Sequence, residues 1–218
     1  MKDNKMAKKL SKTMIKIGSY YKRRVICVLT NMNVPLGKTI GNSLEVKEVI
    51  NYFNGVKDKR LDRLVKYISA CMVSLGKSIN FNQAYDMVTK VIENNTAKYK
   101  FYEWIKNQGG DLTNLKGNVS SLNIISDREG YINDINAIQL AKLVHALGSH
   151  KSSLVNNINY GIGIEIKAPL YSFVKVGSII GTIYYDNKID NMENKFLQSF
   201  KIESIKSKES DIIISVVK

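Results

Sequence analysis

Val25-Ile26-Cys27-Val28-Leu29 is followed, two residues later, by Met32-Asn33-Val34-Pro35-Leu36-Gly37-Lys38-Thr39-Ile40-Gly41-Asn42-Ser43-Leu44-Glu45-Val46-Lys47-Glu48. The five apolar residues in succession read as a strand buried on both faces. Upstream, Met6, Leu10, Met14 and Ile17 recur at helical spacing, with Lys5, Lys8, Lys9, Lys12 and Lys16 off that stripe. That pattern predicts a helix that covers a sheet and stops at Gly18, with a basic helix lying on a membrane surface as the other reading. A helix feeding directly into a buried strand is half of an α/β crossover unit, and the strand that should precede the helix is missing. Downstream, Met32 to Glu48 leaves the C-terminal end of the strand, the edge at which open α/β sheets bind ligands. Pro35, Gly37 and Gly41 let the backbone fold back and aim carbonyl oxygens inward, while Glu48 sits in the following helix with its carboxylate beside them. Carbonyls and one carboxylate suit a hard cation. From spacing alone, a tight strand-to-helix connection with a surface glutamate is the stronger reading.

Composition sets the outer bounds. With 218 residues, 44% of them apolar and 24% charged, the chain suits one or two globular domains and not wholesale disorder. Two prolines and 14 glycines exclude collagen-like and proline-rich classes. No apolar run is long enough to span a bilayer, and the polar, lysine-rich opening does not read as a signal peptide. Cys27 and Cys71 are far apart and lack partner motifs, which fits neither a disulfide framework nor a zinc site and suits a cytoplasmic location. The net charge of +14 comes mainly from lysines scattered along the chain, the arginines being Arg23, Arg24, Arg60, Arg63 and Arg128. Scattered charge of this kind predicts solvation, with neither nucleic acid nor membrane as a partner.

The remaining pattern predicts helices from Asn42, as N-cap with Glu45 completing a capping box, to Gly55; across Leu61, Leu64, Val65, Ile68, Met72 and Leu75 to Gly76; and near 83–94 and 97–107. Met87, Val88, Val91, Ile92, Phe101, Trp104 and Ile105 would face a core. The texture then changes. Strands are predicted at Val119 to Ser126, Gly130 to Ile135 and across Ile162, Ile164 and Ile166, with a helix from Ala137 to Leu147. A glycine-turned hairpin, Val174 to Gly177 with Ile179 to Tyr185, a helix near 190–203 packing Phe196 and Phe200, and a strand from Ile212 to Val217 complete the chain. The class is mixed α/β (α+β), with a boundary between 1–117 and 118–218. His145 and His150 read as capping or solvated residues, Asp58, Asp62 and Glu93 as solvated carboxylates, and no nucleophile, phosphate-loop or metalloprotease motif is present.

The blocks Asn31-Met32-Asn33, Pro35-Leu36-Gly37, Gly41-Asn42 and Leu44-Glu45-Val46-Lys47-Glu48 resemble the signature of the thymidine and pyrimidine-nucleoside phosphorylases. The resemblance continues through Gly55, Gln108-Gly109-Gly110-Asp111, Gly130-Tyr131-Ile132, Gly163-Ile164, Lys175-Val176-Gly177 and Gly181, and so covers essentially the whole chain. Met1-Lys2 matches the end of a glycine-rich segment in the middle of family members. The resemblance implies the C-terminal half of such an enzyme: the end of an α/β phosphorylase catalytic domain in 1–117 and a mixed α+β, hammerhead-like domain in 118–218. The implied reaction is reversible phosphorolysis by a pentosyltransferase of nucleoside salvage, in which phosphate as co-substrate displaces a pyrimidine from C1′ and yields the sugar 1-phosphate. The phosphate loop, the base-holding residues and the helical domain of the family homodimer belong to the other half. No catalytic or substrate-binding residue is therefore assigned here, and the chain is expected to be inactive alone and to need an N-terminal fragment in trans. One site carries over, a potassium ion held by the main-chain carbonyls of Leu36 and Thr39 and the carboxylate of Glu48, with further ligands from the phosphate loop. Thr39 stands where a small apolar residue is usual. Departures gather around Leu147-Gly148-Ser149-His150-Lys151 and at Asn159. The competing reading is a non-catalytic biotinyl- or lipoyl-like carrier, suggested by Lys167-Ala168-Pro169, Val174, Gly177 and Gly181.

Overall fold

The computed structural model describes residues 3–113, 115, 117–149 and 159–218. In chain order the elements are α1 (Asn4–Tyr20), β1 (Cys27–Thr30), β2 (Thr39–Ile40), α2 (Asn42–Phe53), α3 (Lys59–Lys77), α4 (Phe81–Glu93), α5 (Thr96–Asn107), β3 (Ser120–Ile125), β4 (Gly130–Ile135), α6 (Ala137–Val144), β5 (Gly163–Ile166), β6 (Phe173–Val174), β7 (Ile179–Tyr185), α7 (Met192–Leu197), β8 (Phe200–Glu203) and β9 (Ile213–Val217). The chain is a mixed α/β protein whose described strand pairs are all antiparallel. Contacts divide it into two interleaved units, one of residues up to Asn31 with Lys59–Asn107 and Ser210–Lys218, the other of Met32–Asp58 with Gln108–Glu209.

In the first unit α3 packs on α4 and α4 on α5, while α1 lies against a ribbon of β1 and β9. Leu64, Ala70, Cys71, Ala84, Val88 and Ile92 are buried along the helices, as their 3.6-residue spacing requires. Asn80 caps α4 by accepting the Gln83 N–H at 2.9 Å. Several expectations fail here. α1 runs past Gly18, and its apolar stripe faces outward while Ser11 is its one buried residue. The ribbon it covers is only two strands wide, so a narrow line of small residues suffices, with the Cys27 thiol 3.8 Å from the Ser11 carbonyl. β1 buries only Leu29. Met87 and Val91 of α4 are 42% and 37% exposed, because that helix buries only the narrow line Ala84, Val88 and Ile92; Trp104 is 59% exposed, and α5 buries no side chain at all.

The second unit holds a four-stranded sheet in the order β2-β5-β7-β3 and a three-stranded sheet in the order β6-β4-β8. Ile164 and Ile166 of β5 and Ile180 and Ile183 of β7 are buried in one core with Ile132, Leu140, Leu143, Met192 and Phe196. Gly181 makes this packing possible. A Cβ there would fall 2.9 Å from Phe196 Cε2 and 3.0 Å from the Glu165 carbonyl oxygen. The expected hairpin does not exist, because β6 pairs with β4 and β7 pairs with β5 and β3. The turn between them is held by Ser126 instead, which donates its N–H to the Ser178 carbonyl at 2.8 Å and accepts the Gly177 N–H at 2.9 Å. The β6–β7 turn is therefore not the tip of a two-stranded hairpin. The helix expected over 190–203 ends at Leu197, where Ser199 turns back to the Phe196 carbonyl through its N–H at 3.0 Å and its hydroxyl at 2.6 Å. Phe200 then opens β8 and stacks on Phe196 with ring centres 5.0 Å apart. His150 lies outside the described residues.

Gly181→Ala should drive the Phe196 ring from its buried seat and destabilise the chain by about 1–3 kcal/mol. Urea unfolding followed at the second unit's tyrosines checks this, and an unchanged midpoint would show that the core yields without strain.

Candidate functional site

Glu48 is the seventh residue of α2 and reaches back to the loop that precedes β2. Its Oε1 accepts the Lys38 N–H at 2.6 Å, and its Oε2 accepts the Thr39 N–H at 3.2 Å and the Thr39 hydroxyl at 2.6 Å. Gly37 leaves room for the carboxylate, since a Cβ built there would fall 2.7 Å from Glu48 Cδ. Leu36 sits at the bend just before it and is half-buried. The structure thus brings together the loop and the helix glutamate that the sequence singled out.

β2 fixes the direction of the Thr39 backbone. Thr39 faces Glu165 across the β2–β5 pair, and the Ile166 N–H donates to the Lys38 carbonyl at 2.7 Å. Thr39 and Glu165 therefore form a pair that does not exchange hydrogen bonds, which turns the N–H and C=O of Thr39 away from β5. The N–H goes to Glu48, so the carbonyl is presented on the same edge. Further on, Gly41 has φ 139° and lies so close to β5 that a Cβ would approach Gly163 Cα to 2.9 Å. The helix cap differs from the expected box: Gly41 is the N-cap, and Glu45 accepts the Gly41 N–H at 3.1 Å. Asn42 is the first helical residue.

These groups line a cleft of about 550 Å³ within the second unit, together with Lys47, Glu165 and Tyr184. Glu165 accepts from Lys167 Nζ at 2.7 Å and from the Tyr184 hydroxyl at 3.1 Å. Burial pushes the Tyr184 phenol up, and the negative charge of Glu165 adds to the shift. Sequence reasoning missed Glu165 and Tyr184, since they lie more than a hundred residues from the loop and no local spacing links them. It also missed the Thr39 hydroxyl as a partner of Glu48. Asp58, expected to be solvated, lines the same cleft.

Chemically, Glu48 is a carboxylate with three donors and capacity to spare, because an ionised carboxylate offers about four lone-pair sites. No group of three or more His, Cys, Asp or Glu suited to a metal occurs among the described residues, and no helix is long and apolar enough to cross a membrane. Asn159, where aspartate is usual in the resembling family, accepts the Gly161 N–H at 3.1 Å and donates to the Asn118 carbonyl at 3.0 Å. Its amide makes a structural bridge that a carboxylate could not donate.

With a strand-linked loop, a helix glutamate and an antiparallel domain in place, kinship follows. The chain is 33% identical over 224 residues to a thymidine phosphorylase of Metamycoplasma hominis, covering 100% of this chain and 81% of that protein. It is 28% identical to a pyrimidine-nucleoside phosphorylase of Bacillus subtilis (93% of this chain, 48% of the relative) and 27% identical to one of Geobacillus stearothermophilus (94% and 49%). No family model matches. The chain belongs to the thymidine and pyrimidine-nucleoside phosphorylase family, and it spans about half the length of the Bacillus and Geobacillus relatives.

Glu48→Ala should cost about 1–3 kcal/mol of stability even without any cation, because two backbone donors and one hydroxyl lose a charged acceptor. Hydrogen exchange at Lys38 and Thr39 should accelerate in the same variant. Unchanged exchange at both amides would mean that the carboxylate does not hold the loop.

Proposed function

We propose that this chain is the C-terminal half of a pyrimidine-nucleoside phosphorylase, a pentosyltransferase of cytoplasmic nucleoside salvage. It would act only together with the half that binds phosphate and base. The observation that carries the reading is the seating of the Glu48 carboxylate under Gly37, against Lys38 and Thr39, in the segment that most resembles the family. Kinship to proteins named as thymidine and pyrimidine-nucleoside phosphorylases supports the substrate class.

In the proposed reaction a phosphate oxygen forms a bond to C1′ of the sugar as the bond from C1′ to the pyrimidine nitrogen breaks. The nitrogen takes up the electron pair and, in the end, a proton. Nothing assigned in this chain holds the phosphate or the base. Its share is the loop, whose Leu36 and Thr39 carbonyls and Glu48 carboxylate would hold a potassium ion. The donor set fits such an ion: the Thr39 carbonyl is presented on the Glu48 edge, and the carboxylate keeps free lone pairs. When bound, potassium would supply positive charge that neutralises Glu48 and braces the loop. Lys38 and Thr39 hold the carboxylate in place through their N–H groups, and Gly37 keeps the space open.

Purified chain, free of host phosphorylase, should release no thymine from thymidine and no uracil from uridine in phosphate buffer. Coexpression with the part of the Bacillus subtilis relative that this chain does not cover should restore turnover, since electrostatic stabilisation of the displacement needs both halves. In that complex Glu48→Gln should raise the potassium concentration for half-activation roughly tenfold or more. Turnover by the chain alone, or an unchanged potassium midpoint, would contradict the reading.

A further inference from the structure

Glu48 and Glu165 both line the cleft of the second unit, and their charges are balanced differently. Glu165 has a formal counter-charge, the Lys167 ammonium at 2.7 Å, besides the Tyr184 hydroxyl at 3.1 Å. Glu48 has no ion-pair partner among the described residues. Its charge rests on dipoles: the Lys38 N–H on Oε1, and the Thr39 N–H and hydroxyl on Oε2. On Oε2 the hydroxyl is the strong donor. At 2.6 Å it has the short length of a charge-assisted O–H···O⁻ bond, whereas the Thr39 N–H stands off at 3.2 Å. An ionised carboxylate offers about two lone-pair sites per oxygen, so Thr39 alone fills Oε2 while Oε1 keeps one site open.

We propose that the Thr39 hydroxyl is a built-in competitor for the cation: it holds Glu48 Oε2 and yields it only against a monovalent ion, so it sets how much potassium the loop requires. The proposal rests on the potassium reading above and specifies what tunes that site. An ionised carboxylate only accepts, so the hydroxyl hydrogen points at Oε2 and its positive end lies where a cation on that oxygen would sit. Hydrogen and cation then draw on the same negative charge. A hydrogen bond to an ionised acceptor is roughly twice as strong as a neutral one, and a cation that neutralises Glu48 takes that extra strength away. An interaction that is stronger without the ligand than with it lowers the apparent affinity for the ligand. Glu165 offers no such opening, because Lys167 already supplies its positive charge. Thr39 and Glu48 both line the cleft, so an ion reaches this hydrogen bond without unfolding the loop.

Stepwise addition of potassium to the isotope-labelled full chain tests the proposal, with ionic strength held constant by choline chloride and the Lys38 and Thr39 amide shifts followed by NMR. The comparison is between variants, so it needs only the three donors that this chain brings. Thr39→Ala removes the hydroxyl and should lower the potassium midpoint about threefold to tenfold. Thr39→Val, which also lacks the hydroxyl but keeps a β-branched strand residue, should show the same fall. Thr39→Ser keeps the hydroxyl and should match the parent. Thermal melts give a second readout: Thr39→Ala should melt below the parent in choline chloride, and potassium should narrow that gap. An equal midpoint in Thr39→Ala and Thr39→Val, with the parent still responding to potassium, would overturn the competitor and leave the potassium site standing. A higher midpoint would overturn it too, by making the hydroxyl a ligand. No response of any of these chains, alone or with the coexpressed remainder of the Bacillus subtilis relative, would sink the potassium site and the competitor together.

Discussion

One carboxylate holds the loop before β2 in shape. Glu48 gathers the Lys38 and Thr39 N–H groups and the Thr39 hydroxyl, and so sets the turn that delivers β2 to β5. Because a strand slipped by one residue turns every side chain over, this anchoring decides which face Thr39 presents and where its carbonyl points. β5 in turn joins β7 and β3, whose buried isoleucines form the core of the second unit. The interaction that shapes the site thereby also fixes the edge of the sheet.

That dual role changes how Glu48 is understood. From the sequence, Asn42 caps its helix and Glu48 is only a carboxylate beside the loop carbonyls. The structure moves the cap to Gly41 and gives the carboxylate three donors of its own, so position and charge are coupled. Gly37 belongs to the same arrangement, since any side chain there would compete with the carboxylate for space.

Much of this was legible where the determinants are local. The 3.6-residue pattern placed α3 and α4, the alternating isoleucines of 162–166 placed β5, and the proline and glycines of 35–41 marked the loop. The failures came where distant partners decide. β6 and β7 look like a hairpin in sequence, but Ser126 holds their turn and each strand joins a different sheet. The 190–203 helix is cut short by Ser199, whose bonds to the Phe196 carbonyl release Phe200 into β8. The α1 stripe shows that the helix is amphipathic without showing which side the protein covers. Glu165 and Tyr184 complete the cleft from strands whose proximity to the loop no spacing rule reveals.

If the Leu36–Glu48 loop is this chain's contribution to a shared phosphorylase site, as proposed, a bound cation should report it directly. The most direct measurement is the anomalous difference map of a crystal of the chain bound to the remainder of the Bacillus subtilis relative, grown with thallium(I) in place of potassium. A peak is expected in ligand contact with the Glu48 carboxylate and the carbonyls of Leu36 and Thr39. A loop that holds Glu48 as seen here, with no thallium at it while the complex turns over nucleoside, would contradict the proposal.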